Sequence, residues 1–490
     1  MWMKKTETTK PEKITMIEDI VGKMTGLAKP RRKFLVMVLR TILMMRGRVN
    51  YTNLSRYSEF NERTFRRQYV KPMDFGKVNH EIVRELKMEE QTLVLAMDAT
   101  FISKSGKHTP GLGRYWNGSD GRAEKGLEVS LVAVVNVETK RAYALEARQT
   151  GVSARLSGES APAAGVQTPE AVSAKAKPKS KTKSKAKAKP DVKPGTAHPV
   201  EAVLVKAESK SKTKVATKSK AKAKITLQSD PPLTTEEFTR IDDYLDHLRE
   251  TKPHWPPTIR YGVFDGFYTK RKFVDGVCGL GLHLIGKLRS DANLRFLYTG
   301  PQKPRGRRRR YAGKVDFTDL SRFEAFGEIE PQVWLYAATV FHVSLKRVIR
   351  ICLLVNLTHP DQPRLVVLFS TDETLNPKLI VAYYIARFQI EFLFRDAKQF
   401  TGLTHCQART RQALDFHFNA SFTAVNFAKL ETQLARSTQP ASPFSLASYK
   451  CRAFNHFCLD RVISLFDLDP QMIKNHPNYS NFCEWGTLAS

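Results

Sequence analysis

Asn376-Pro-Lys-Leu-Ile-Val-Ala-Tyr-Tyr-Ile-Ala-Arg-Phe-Gln-Ile-Glu-Phe-Leu-Phe-Arg-Asp-Ala-Lys-Gln-Phe-Thr-Gly402 is the stretch on which the reading of this chain turns. Asn376 is a cap, Pro377 suits the first helical position and Gly402 is a stop. One helix of roughly 25 residues is therefore predicted over 377–401. At ~100° per residue, Tyr384, Arg387, Glu391, Arg395 and Lys398 share an arc of about 80°. Ile385, Ala386, Ile390, Phe392, Leu393, Phe394 and Ala397 fill most of the remaining circumference, with Gln389 and Asp396 as exceptions. A helix apolar on most sides is normally buried, and buried charges need partners or a ligand. An Arg387–Glu391 pair at i,i+4 would satisfy two of these charges on a partly exposed face. The stripe recurs over about four turns, however, which asks for a polar neighbour along the whole face.

Two acids elsewhere could be that neighbour. Asp98 closes the apolar run Leu93-Val-Leu-Ala-Met97, and Asp265 closes Tyr261-Gly-Val-Phe264. An acid directly after a buried strand lies at the carboxyl edge of a sheet, where α/β folds place their ligand sites. Magnesium and manganese take hard oxygen ligands, and a two-metal site needs carboxylates converging on ions about 3.5–4 Å apart. Two strands and a helix could bring three acids to such a point.

The spacing Tyr384-x2-Arg387-x3-Glu391-x6-Lys398 resembles the Y-R-E-K signature of DDE transposases of the insertion-sequence-four family, without a gap. Asp98-Ala-Thr and Phe264-Asp-Gly-Phe267 look like that family's first and second acidic motifs, and a β-rich insertion between the second Asp and the Glu is a family trait. The resemblance implies a ribonuclease-H-like core in which Asp98, Asp265 and Glu391 are catalytic and hold two Mg²⁺ ions, with Mn²⁺ able to substitute. It implies that water attacks the phosphodiester at the transposon end, and that the freed 3′-hydroxyl then attacks target DNA. Tyr384, Arg387 and Lys398 would contact phosphates near the cut, as guanidinium and ammonium groups suit. The implied partners are double-stranded DNA, as terminal inverted repeats and as target, and a second copy of the chain on that DNA. Two other readings share parts of this pattern. One is another two-metal nuclease on the same core, and the other is a non-catalytic basic DNA-binding protein derived from a transposase.

Composition agrees with a nucleic-acid partner. The 490 residues carry a formal net charge of +32, too large to serve solubility alone. Residues 152–225 hold 17 Lys and one Arg against five acids, a balance of +13 that leaves +19 for the rest. The globular parts are thus basic too. The tract at 153–232 is Ala, Lys, Ser, Thr and Pro with few large apolar residues, and is expected to be disordered. Its halves repeat Lys-Ser-Lys-Thr-Lys at 179–183 and 210–214, and Thr-Lys-Ser-Lys-Ala-Lys-Ala-Lys at 182–189 and 217–224, as a local duplication would leave. It reads as a solvated spacer or as a salt-sensitive DNA tether.

The fold class expected is α/β: a ribonuclease-H-like mixed sheet flanked by helices, interrupted by a β-rich insertion and preceded by a helical DNA-binding region. The division is 1–90 helical, 91–152 first part of the core, 153–232 insert, 233–293 core, 294–370 β-rich insertion, 371–431 core with the Glu-bearing helix, and 432–490 helical. In the first region Gly47–Ser58 and Asn61–Tyr69 read as two short helices. Asn61 would be an N-cap, Phe65 and Tyr69 an apolar pair, and Arg63, Arg66 and Arg67 the outward face, either of a helix-turn-helix reader or of a basic amphipathic helix packed on its neighbours. In the β-rich insertion, Trp334 reads as a packed side chain or, secondarily, as a ring for stacking on an unpaired base, and Arg305-Gly-Arg-Arg-Arg-Arg310 offers Arg307, Arg308, Arg309 and Arg310 to phosphates. Six cysteines without CxxC or zinc spacing read as reduced thiols. The apolar run Phe34–Met45 is broken by Arg40 and too short for a bilayer. A cytoplasmic protein is expected from that reading, and the resemblance implies a bacterial, nucleoid-associated one.

Overall fold

A computed structural model describes residues 15–88, 90–151, 238–358, 364–435 and 444–488. The expectations for the lysine-rich tract and for the first residues of the chain lie outside the described residues.

Five helices come first: α1 Thr15–Lys23, α2 Lys29–Met44, α3 Tyr51–Arg56, α4 Glu62–Tyr69 and α5 Phe75–Glu85. Asn50 and Asn61 cap α3 and α4 through their side-chain oxygens, on Asn53 N and Thr64 N, as short polar side chains do at helix starts. Phe65 and Tyr69 are fully buried, while Arg63, Arg66 and Arg67 face solvent.

Among the described residues the strands form one twelve-stranded sheet. They are β1 Leu93–Ser103, β2 Gly113–Asn117, β3 Arg122–Asn136, β4 Arg141–Thr150, β5 Tyr261–Val263, β6 His283–Leu288, β7 Leu294–Leu297, β8 Tyr311–Lys314, β9 Glu324–Glu330, β10 Val333–His342, β11 Arg347–Asn356 and β12 Arg364–Ser370. The order runs β2-β3-β1-β5-β6-β12-β11-β10-β7-β8, with β4 also on β3 and β9 on β10. β1 is antiparallel to β3 and parallel to β5, and β5 is parallel to β6. Residues 93–97 of β1 are all buried, as an unbroken apolar run covered on both faces should be. The strands of 294–370 do not stand apart as a separate β unit. Antiparallel pairing of β12 with β6 joins them to the core strands, and the near-continuous burial of β11 and β12 is that of strands covered on both faces.

Helices α6 Arg240–Thr251, α7 Arg271–Gly279, α8 Pro377–Ala386, α9 Gln389–Phe400, α10 Arg411–Ala435 and α11 Leu446–Leu465 complete the frame. The predicted single helix over 377–401 is two. Across the junction Phe388, Ile390 and Glu391 donate to carbonyls three residues back, Ile385, Arg387 and Phe388, so the chain tightens to a 3₁₀ turn, a feature common at functional hinges. Neither Gly nor Pro marks that junction, which is why the sequence does not show it.

The open edge of β4 is closed by side chains of α10. Asn419 accepts from Ala147 N (2.8 Å) and donates to Ala147 O (2.7 Å), and Asn426 does the same to Ala144 (3.0 and 2.8 Å). The two asparagines are seven residues apart, hence on one helix face. Lys429 continues the row by donating to Ala142 O. Amides thus imitate a further strand, satisfying buried backbone groups and blocking an exposed edge. An adjoining face of α10 carries Phe416, whose ring packs against Tyr69 (4.4 Å) and Phe34 (6.0 Å). The N-terminal helices are therefore packed onto the core through that aromatic cluster.

Candidate active site

Asp98 is the sixth residue of β1, and Asp265 follows β5 by two positions. Leu95 is level with Gly262 and Ala96 with Val263, so the same register carried two residues on sets Asp265 level with Asp98. Level residues of neighbouring strands point to the same face at a strand spacing of about 4.8 Å. Glu391 reaches this edge from the first turn of α9.

The three acids meet at a guanidinium. Arg387 Nη1 lies 3.4 Å from Asp98 Oδ2, and Nη2 lies 3.5 Å from Glu391 Oε1. Both contacts are longer than the usual N–H···O separation near 2.9 Å, and Arg387 Nε is buried without a hydrogen-bond partner. Arg387 is thus surrounded but loosely held. Burial opposes its charge, yet Tyr384, Asp98, Asp265 and Glu391 together raise its pKa. The Asp98 carboxyl is pushed up to about 6, first by burial and then by Asp265 and Glu391, against the opposing pull of Arg387 and the Ala99 amide. Even with its arginine, then, the cluster is short of positive charge. Burial also pushes the buried Tyr384 hydroxyl upward, with Asp265 adding to the effect and Arg387 opposing it.

The donor set suits a hard cation: three carboxylates and no sulfur. Among the described residues no group of three or more acidic, histidine or cysteine side chains is spaced to hold a metal ion, and Arg387 stands between Asp98 and Glu391. Accepting a cation requires that guanidinium to turn aside. That movement would break its contacts of 3.4 and 3.5 Å to Asp98 and Glu391.

Other expected contacts are distributed differently. Lys398 is half-buried two turns beyond Glu391, and burial lowers its pKa. Arg395 points outward, pairing with Asp396 at 2.9 Å over the Phe392 ring. Arg307, Arg308, Arg309 and Arg310 are exposed between β7 and β8. Seven strand steps of ~4.8 Å put them roughly 30 Å from β1 along the sheet, so the structure does not bring them to the acids. Arg66 pairs with Glu62 and covers the Tyr51 ring at 5.0 Å. Trp334 is exposed on β10 and not packed in the core as expected, because the strand's alternation turns it to the face opposite the buried Val333 and Leu335. One residue that the sequence reading did not single out stands close by. Lys287 of β6 is lowered by burial and by Arg387 and raised by Asp265. It sits in an ordinary strand with no motif, and only the β5–β6 pairing reveals it.

Residues 24–328 match the family described as DDE superfamily endonuclease, a span that is more than half of the chain and includes Asp98 and Asp265. Residues 234–427 match the transposase DDE domain, which includes Asp265, Tyr384, Arg387, Glu391 and Lys398. The chain belongs to the DDE superfamily and is a DDE-type transposase. No curated protein matches it. The two matches overlap over 234–328 and together run through all three acids, so the motif residues lie inside family sequence rather than beside it. DDE transposases generally use divalent metals and act on DNA. Among the described residues no helix of this transposase is long and apolar enough to cross a membrane.

Proposed function

We propose that this transposase catalyses cut-and-paste transposition of the insertion-sequence-four type, cleaving at terminal inverted repeats and transferring the freed 3′ ends to target DNA. The observation that carries this reading is the convergence of Asp98, Asp265 and Glu391 on one arginine. The strand order β4-β3-β1-β5-β6, antiparallel and then parallel with the first acid on the central strand, supports a ribonuclease-H-like core.

Asp98, Asp265 and Glu391 would hold two Mg²⁺ ions, or Mn²⁺ in their place. Such ions supply positive charge to the attacking and leaving oxygens of an in-line displacement. The protein's own residues do the rest. Arg387, freed from its carboxylates, offers a planar pair of donors to the scissile phosphate. Tyr384 stays protonated because its hydroxyl is buried beside acids, so its O–H remains able to donate to a phosphate oxygen. Lys398, two turns along α9, neutralises a neighbouring phosphate. Arg63, Arg66 and Arg67 on α4, Arg395 on α9, and Arg307 to Arg310 between β7 and β8 are proposed as further DNA contacts. The chain is proposed to act as a homodimer on paired ends, in the bacterial cytoplasm with the nucleoid.

The test is incubation of the protein and Mg²⁺ with DNA bearing the element's own terminal repeats. Cleavage at the repeat ends with joining to a second duplex is the expected result. Cutting without joining would favour a nuclease on the same core, and salt-sensitive binding without cutting would favour a non-catalytic derivative.

A further inference from the structure

Beyond the acids, the chain encloses a second polar space. A cleft of about 1180 Å³ lies where the end of β1 and its following loop, the α9–α10 connection and the N-terminal helices meet. Arg48, Arg66, Lys104, Lys107 and Arg409 line it, and no acidic side chain does. Arg66 is spoken for by Glu62, and Lys104 donates to Cys406 O, tying the two loops together. Among the described residues, no acid pairs with Arg48, Lys107 or Arg409. Lys107 and Arg409 are exposed. Like charges brought together without counter-ions are unfavourable unless an anion is present. The cleft also presents hydroxyl groups from Ser103, Ser105, Thr109 and Thr404, which suit phosphate oxygens.

Its position is set by the same elements that carry the acids. Ser103 lies five residues past Asp98 on β1, and the 404–410 loop follows the carboxyl end of α9, which carries Glu391 and Lys398. Five extended residues span ~17 Å, the length of about five base pairs at ~3.4 Å each. The lining argues for a duplex over a single strand. Single-strand sites use exposed aromatic platforms, whereas the one Phe, Tyr or Trp among the lining residues, Tyr51, is edge-packed on Tyr69 at 5.0 Å and covered by Arg66.

We propose that this cleft holds the phosphate backbone of double-stranded DNA about five base pairs from the scissile phosphate, with Arg48, Lys107 and Arg409 as the phosphate contacts. The distance from the cut rests on Asp98, Asp265 and Glu391 being the cutting site; the binding itself does not.

The experiment measures binding of a mixed-sequence DNA duplex to the full chain by fluorescence anisotropy, without divalent metal, between about 50 and 200 mM salt. The double variant Lys107→Gln, Arg409→Gln is compared with wild type and with Lys140→Gln, Lys346→Gln. The latter removes two exposed charges from the β3–β4 and β10–β11 turns at the opposite end of the sheet. Each lost phosphate contact should reduce the slope of log affinity against log salt by ~0.9, so the cleft variant should lose about two units of slope and the turn variant none. An unchanged slope in the cleft variant, or an equal loss in the turn variant, would overturn the proposal. A wild-type protein that binds with the expected slopes but cuts no DNA in Mg²⁺ would instead count against the catalytic reading alone.

Discussion

Arg387 Nη1 stands 3.4 Å from the Asp98 carboxylate although the two residues are 289 positions apart, and the same guanidinium reaches Glu391 at 3.5 Å. One cation therefore organises an acidic cluster built from two strands and a helix. Its planar shape matters, since a lysine ammonium cannot present a planar pair of parallel donors to a phosphate.

Arg387→Lys should accordingly fold normally but cut DNA about 10²-fold more slowly, the scale seen when a single charge-stabilising donor is lost. Arg387→Ala should be at least as slow. Single-turnover cleavage at saturating protein measures this directly. Wild-type rates in Arg387→Lys would show that the bidentate geometry has no role.

Asn426→Ala should destabilise the fold. It removes the Asn426 partner of Ala144 N, Ala144 O and Asn79 Oδ1 in a fully buried place. Unsatisfied buried groups cost about 1–3 kcal/mol each, so a loss of at least ~2 kcal/mol is expected from chemical denaturation. A change below ~0.5 kcal/mol would mean that the side-chain imitation of a strand on β4 is incidental.

Stability should fall as pH rises from about 4 toward 7. Burial pushes Glu146 up to about 7 and Asp415 up to about 6. Both line the cavity between β4, α10 and the loop before α5. A carboxyl whose folded pKa exceeds its unfolded value binds its proton more tightly in the native state. Its stabilising contribution is complete below the unfolded value and disappears as pH climbs through the folded one. Thermal midpoints of Glu146→Gln and Asp415→Asn should be flatter across this range than those of wild type. Identical pH profiles would refute the assignment.

Removing residues 153–225 should leave folding and cleavage intact. Gly151 N donates to Asp243 at 3.1 Å, and Thr150 and Tyr244 share the Glu128 carboxylate at 2.7 Å each. The chain on either side of the tract is thus fixed by its own contacts. Non-specific DNA affinity should drop and its salt dependence should weaken. Loss of cleavage with the fold retained would give the tract a catalytic role.

Much of the site was legible because its residues sit where local rules are strong. Asp98 and Asp265 end apolar runs, and Asn61 caps a helix ahead of the Phe65/Tyr69 pair. The stripe from Tyr384 to Lys398 was visible from helical period alone, although Arg395 turns out to face solvent beside Asp396. What the sequence did not reveal depends on long-range pairing. The tightening at Arg387–Glu391 carries no breaker residue. β12 joins β6 through a register that no local pattern encodes, and Lys287 gains its place only from that sheet. The amides of Asn419 and Asn426 read as ordinary polar residues of a helix until β4 is seen beneath them. The cleft at Lys107 and Arg409 is likewise assembled from three distant segments.

The central claim is that Asp98, Asp265 and Glu391 act as one catalytic set. Nicking of supercoiled plasmid in Mg²⁺ by Asp98→Asn, Asp265→Asn and Glu391→Gln, each checked for wild-type thermal stability and DNA binding, tests it most directly. All three should bind DNA and fail to cut it. If any one of them, folded and bound, nicked at the wild-type rate, that residue would not belong to the set and the account would be contradicted.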